Sequence, residues 1–333
     1  MSTFKAYRID QSEDKKIIAS FQDLTIDDLT DGEVVVRVEW SDINFKDVLA
    51  ATGKGKILRQ YPLNGGIDLS GSVVSSKDDR FKEGDHVLVC GCGLSETADG
   101  GYAEMARVCA DCVVPLPDGI TLRDSMALGT AGFTAAMAVM RMEQNGQTPE
   151  HGKIVVTGAT GGVGSIAIDI LASKGYEVVA FTGKTDQHDY LRSLGANEFL
   201  DRNSIEKGTR PLEAATWGGA VDNAGGETLA WLTRTVKPWG NIASIGLVDD
   251  FKLNTTVMPF ILRGVSLLGI NSIEMPNEMR NEIWRRLGGD LKPRHLDQVV
   301  TREVNFEQLP ETFDSYLDGS NFGRTLVRIG GDG

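Results

Sequence analysis

The segment "KIVVTGATGGVGSIAIDILASKGYEVVAFTGK", residues 153–184, holds the residues whose types and spacing point most directly to chemistry. A short β-rich run, Ile154 to Val156, leads into Gly158, and "GATGGVG" follows at once. Ala159, Gly161 and Gly164 occupy the three small-residue positions of a dinucleotide fingerprint, alanine standing at the first. Small residues let the turn be tight. The main-chain N–H groups of Gly161, Gly162, Val163 and Gly164 can then approach a pyrophosphate at a helix N-terminus. The alternative, a flexible glycine loop, is countered by context. Val163, Ile166, Ala167, Ile170 and Leu171 recur on one helix face, Lys174-Gly175 stops the helix, and "EVVAF" reads as a second strand. At the end of that strand stand Thr182, Gly183 and Lys184, where an acid would otherwise hold a ribose 2′-hydroxyl. A hydroxyl and an ammonium suit a 2′-phosphate, so NADPH is expected over NADH.

A second candidate is "TGKGKILRQYP", residues 52–62, with Lys54, Lys56 and Arg59 in a stretch from Val48 to Ile67 that holds no acid. The chain as a whole carries a formal net charge of −13. Such a run is either an ordinary solvated loop or a receiver for an anion. Cys90, Cys92, Cys109 and Cys112 raise a zinc cage, but Cys90 ends an apolar strand-like run and Cys112 begins another. Buried cysteine as a small hydrophobe is the favoured reading, with no metal expected.

These residues need elements to hold them. At 333 residues the chain exceeds a single core, so two domains are expected. Six strands in a β-α alternation run through Ile154–Val156, "EVVAF", "GANEFLD", "GGAVDNAGG", "VKPWGNIASIG" and "GVSLLGINS", making residues 125–271 one doubly wound α/β domain. Residues 1–124 read as a β module, with Val34, Val36, Val38 and Trp40 alternating on one face. After a helix in "NEMRNEIWRRLGG", the strand "GRTLVRIG" is positioned to rejoin that module, which therefore comprises 1–124 and 272–333. A pI near 4.9 argues against a nucleic-acid partner. The charged start and the lack of a long apolar run lead to the expectation of a cytoplasmic protein with no membrane association.

That order, with "NFKD" at 44–47, "GGIDLSG" at 65–71, "GTAGFTA" at 129–135 and "GATGGVG" at 158–164, resembles the medium-chain dehydrogenase/reductase superfamily over essentially the whole chain. The fold so implied is a GroES-like β-rich catalytic domain plus a Rossmann nucleotide-binding domain. The stretch from Asn44 to Val73 is most similar to the zinc-free, NADPH-dependent acryloyl-CoA reductase group, often labelled quinone oxidoreductases. Asn44 stands where the zinc branch has a cysteine ligand, and Gly66-Ile67-Asp68 stands for its Gly-His-Glu.

The resemblance implies reduction of a C=C bond conjugated to a carbonyl, with an acyl-CoA thioester as substrate and a homodimer as the assembly. It places Thr130 and Asn271 near the nicotinamide, Asn223 and Gly246 along the cofactor, and Arg324 on a phosphate, the alternative for Arg324 being an ion pair. Asn44 and Asp47 are candidates for polar groups at the reaction cleft, or else caps. Tyr61 and Tyr102 are candidate proton donors, with solvent or simple packing as alternatives. Lys54, Lys56 and Arg59 would receive the CoA phosphates. An NADPH:quinone reductase and a non-catalytic NADPH-binding protein remain as other readings.

Overall fold

The computed structural model describes residues 2–330, and the outermost residues of the expected β module lie outside that range. The chain divides into two units. The first takes the chain up to Thr130, Ile273–Gly288 and the chain from Val300 onward; the second takes Ala131–Ser272 and Gly289–Val299.

The first unit is built on a seven-stranded sheet and a three-stranded sheet. Its central strand, Val34–Asp42, buries Val34, Val36 and Val38 as the alternation requires. Strand Asp68–Ser76 pairs antiparallel with it on one side, and the late strand Arg324–Arg328 on the other, with Leu326 opposite Asp42. Strand Val300–Asn305 then adds parallel to Arg324–Arg328. The C-terminal segment thus completes the β module.

The second unit carries a six-stranded parallel sheet in which Ile154–Thr157 lies between Val178–Thr182 and Trp217–Asp222. All residues of these three strands are buried, because a parallel sheet is covered on both faces and its strands read as continuous apolar runs rather than alternating ones.

Two differences from the expected boundaries have physical causes. Helix Leu122–Gln144 is broken at Gly129, whose φ of 49° and ψ of −156° are not helical, and the division between units falls just after it. Residues 289–299 belong with the nucleotide unit, where the His295 backbone N–H donates to Asp169 Oδ2 (2.7 Å) and Lys174 pairs with Asp290 (3.2 Å). This segment also explains why helix Gly162–Ser173 buries Ile168 and Asp169 besides its expected apolar face.

Candidate active site

The nucleotide unit gathers its candidate residues at one sheet edge. Asn223, Gly246, Asn271 and the Thr182–Lys184 turn all follow the C-terminal ends of parallel strands, the edge where open α/β sheets bind ligands. Helix Gly162–Ser173 starts there too, with Gly161 as its N-cap. Its first N–H groups lack partners within the helix and point outward. At Gly164 a Cβ would collide with the carbonyl oxygen of Gly158 and lie 2.8 Å from Ala159 Cα, so only glycine lets the turn fold back on the helix. Asn223 ties the neighbouring strands together: its backbone N–H donates to Thr157 Oγ1 and its Nδ2 to the Thr157 carbonyl, both at 2.8 Å.

At the second strand's end, Thr182 Oγ1 accepts the Lys184 backbone N–H at 3.0 Å. Here the structure adds two residues that spacing did not reveal. Parallel pairing sets Thr182 beside Asp201, so the turn after that strand brings Arg202 and Asn203 against Gly183. A Cβ on Gly183 would lie 2.9 Å from Arg202 Nε and 3.0 Å from Asn203 Nδ2. Arg202 is exposed. A hydroxyl, an ammonium, a guanidinium and an amide thus surround one turn.

In the first unit, Asp42, Asn44, Asp47, Asp68, Thr130 and Arg324 form one polar cluster, buried except for the half-buried Asn44 and Thr130. Asn44 caps helix Phe45–Thr52, its backbone N–H donating to Asp47 Oδ2 at 2.8 Å. Asp47 Oδ1 accepts the Ile67 N–H at 2.9 Å. Asn44 Nδ2 donates to Asp42 Oδ1 (2.7 Å) and Asp68 Oδ2 (2.9 Å). Asp68 in turn accepts the Thr130 hydroxyl (2.6 Å) and backbone N–H (2.8 Å). Burial pushes Asp47 up to about 7, against the N–H bonds that lower it. Gly129 sits at the centre with φ +49°, where a Cβ would strike Asp42 and come within 2.6 Å of Arg324 Nη2.

Two expected roles are corrected by this geometry. Arg324 is buried and pairs with Asp42 at 2.6 Å, while donating to the carbonyls of Ala127 (3.1 Å) and Met126 (3.2 Å) and to Asn44 Oδ1 (3.2 Å). Burial works most strongly against its charge, but Asp42 together with Tyr316, Asp68 and Cys90 outweighs this and its pKa is raised. Its guanidinium is occupied inside the β module, so the ion-pair alternative replaces the phosphate role. Tyr102 is wholly buried and its hydroxyl donates to the Asp42 carbonyl at 2.9 Å. Burial raises its pKa well above the ordinary phenol value, which suits a structural group rather than a proton donor. Asn44 and Asp47 likewise use their polar atoms as caps and bridges.

Tyr61 is half-buried against the core, with no hydrogen bond from its hydroxyl among the described residues. Lys54, Lys56 and Arg59 are exposed and make no ion pair among the described residues, just past the helix end at Gly53. Cys90 is buried, Cys92 and Cys112 half-buried and Cys109 exposed. Among the described residues no three His, Cys, Asp or Glu side chains converge as metal ligands.

A GroES-like β module with a doubly wound dinucleotide sheet is the build of a two-domain oxidoreductase. Residues 30–118 match the family described as "Alcohol dehydrogenase GroES-like domain", and residues 162–287 match "Zinc-binding dehydrogenase". The chain is 44% identical to the putative quinone oxidoreductase YhfP of Bacillus subtilis, over 99% of this chain and 100% of that protein. It is also 44% identical to the acrylyl-CoA reductase AcuI of Ruegeria pomeroyi, over 98% of this chain and 99% of that one. The crystal structure of the yhdH oxidoreductase from Salmonella enterica in complex with NADP superposes with a TM-score of 0.94 at 44% identity, covering 98% of this chain and all of that one. The YhfP crystal structure with NAD bound gives 0.96 at 43% identity, covering 99% of this chain and 100% of that one. The chain belongs to the medium-chain dehydrogenase/reductase superfamily, in its zinc-free acrylyl-CoA reductase group.

Proposed function

We propose that the protein uses NADPH to reduce the conjugated C=C bond of acrylyl-CoA, or a similarly short enoyl thioester, to the saturated acyl-CoA. The observation that carries this reading is the 44% identity to an acrylyl-CoA reductase over nearly the full length of both chains. Lys54, Lys56 and Arg59, exposed and free of ion pairs among the described residues, supply the positive charge that CoA phosphates require.

The nucleotide unit fits the cofactor. The Gly161–Gly164 turn at the start of its helix offers backbone N–H groups to a pyrophosphate. Thr182, Lys184, Arg202 and Asn203 surround the point where a 2′-phosphate belongs. When bound, NADPH supplies the hydride that reaches the substrate β-carbon. Asp68 holds the Thr130 hydroxyl and backbone in place, and Asn44, itself held by Asp42 and Arg324, holds Asp68. The α-carbon takes its proton from Tyr61 or from solvent.

We also infer a homodimer in the cytoplasm. Trp239, Leu247, Val248, Phe251, Ile261 and Leu262 are exposed in the nucleotide unit, whose edge strand Ser266–Gly269 pairs on one side only among the described residues. A paired second copy would cover both the apolar side chains and the open strand edge.

The second reading, an NADPH:quinone reductase, is favoured by the name of the YhfP relative. Stopped-flow oxidation of bound NADPH against a panel of acceptors separates the two. Fast turnover with acrylyl-CoA and slow turnover with quinones is expected. The reverse overturns the proposal, and NADPH binding without turnover on any acceptor leaves a binding protein.

A further inference from the structure

Cys92 and Cys112 meet outside the cluster described above. Cys92 follows strand His86–Cys90, and its φ of 53° puts a non-glycine residue in the left-handed region. Cys112 closes the short turn Ala110–Cys112, and its sulfur lies 3.9 Å from the Cys92 carbonyl oxygen. The two thiol side chains also act on each other's titration. Both are half-buried, so the pair is screened from bulk water but not sealed from small reagents. From helix Asn277–Leu287 comes Arg280, buried, its Nη1 donating to the Cys90 carbonyl at 3.2 Å. Its Nε is buried with no hydrogen-bond partner. The positive charge of this buried guanidinium acts on both thiols in the direction that favours a thiolate.

We propose that Cys92 and Cys112 are a reactive thiol pair that a hydroperoxide converts to a disulfide, Cys92 being the attacking thiolate and Cys112 the resolving thiol. The Cys92 sulfur attacks one peroxide oxygen, the O–O bond breaks, and the departing hydroxide takes up a proton to leave as water. Cys92 is then a sulfenic acid. The Cys112 sulfur attacks it, the S–O bond breaks, and the hydroxide leaves with the Cys112 proton as a second water. One S–S bond has formed; the two thiols have lost two electrons and the peroxide has gained them.

The charged groups around the pair agree with this division. The hydrogen bond from Cys112, joined by the charge of Arg280, outweighs burial and the Asp111 carboxylate and lowers Cys92 to about 7. Cys112 is raised by that same hydrogen bond, by burial and by the thiols of Cys92 and Cys109, with only Arg280 acting the other way. Cys90 is raised by burial and by Asp68 and Asp42, which leaves it inert.

The test uses the reduced full-length protein and a stoichiometric dose of hydrogen peroxide, followed by alkylation and non-reducing peptide mapping by mass spectrometry. Its readout is chemical and does not depend on the catalytic reading. The expected dominant product is a peptide linking Cys92 to Cys112. C109S keeps that link, while C112S stops at a Cys92 sulfenic acid captured by dimedone. Alkylation of Cys92 by iodoacetamide should rise about tenfold between pH 6 and pH 8, against about 80-fold for an unactivated thiol. A link through Cys109, indiscriminate oxidation of all the thiols, or the 80-fold dependence would overturn the assignment. Where C112S does not fold, the wild-type peptide map and pH profile decide it.

Discussion

Replacing Arg324 by leucine should cost stability rather than cofactor affinity. The Arg324 and Asp42 side chains are 3% and 0% exposed and 2.6 Å apart. Leucine fills part of the space but leaves the Asp42 carboxylate without its cation, next to Asp68, with only the Asn44 amide bridging the two acids. Removing one partner of a buried ion pair costs about 3–5 kcal/mol. At about 2–4 °C of Tm per kcal/mol, the expected drop is about 6–20 °C. The double variant Asp42→Asn/Arg324→Leu removes the stranded charge as well and should recover much of that loss. Thermal unfolding and NADPH titration on the same preparations give the answer. Unchanged Tm with NADPH binding weakened tenfold or more would make Arg324 a phosphate ligand and refute the buried-pair reasoning.

Three further outcomes are expected. Arg202→Ala should weaken NADPH about ten- to a hundredfold, the worth of a charged hydrogen bond, and leave NADH unchanged; equal losses for both cofactors would remove Arg202 from the 2′-phosphate. Charge reversal at Lys54 and Lys56 should raise KM for acrylyl-CoA about tenfold at low salt, less as salt is added, while sparing a small quinone; an equal effect on both acceptors returns the stretch to an ordinary loop. Burial holds Asp47 at about 7 in the folded chain, above the unfolded carboxylate range. Its contribution to stability is therefore fully present below about pH 4 and is lost as pH rises through 7. Asp47→Asn should gain in Tm relative to the wild type between pH 5 and pH 8, and a gap constant with pH would contradict the assignment.

The fold was legible wherever a local period carried it. The continuous apolar runs Ile154–Thr157 and Val178–Thr182 and the glycine turn between them announce a parallel strand pair with its crossover, because both faces of such a sheet are buried. The β module was legible in the alternation of Val34, Val36 and Val38. The candidate site was legible in part. Glycines at a sheet edge betray themselves by spacing, but side-chain partners drawn from distant segments do not. For Arg324 the sequence offers a phosphate or an ion pair without naming the acid, since its partner Asp42 sits in another strand of the same sheet, far along the chain. Tyr102 offers no sequence signal of its burial under Asp42. Arg202 lies outside the fingerprint, which points to the end of the second strand, whereas parallel pairing delivers a residue from the end of the third to the same spot. The signal available was the position just past "EFLD", directly after a predicted strand end.

The place of strand Arg324–Arg328 between Val34–Asp42 and Val300–Asn305 has a consequence for synthesis on the ribosome. The nucleotide unit has nearly all its parts once residue 299 has emerged, and can fold then. The β module, although translated first, must wait for Arg324 to neutralise Asp42 and for its sheet to gain its last two strands. During that interval its apolar strands and a lone carboxylate stand open. The order of maturation therefore runs opposite to the order of translation, and the nascent β module is the stretch a chaperone would find first.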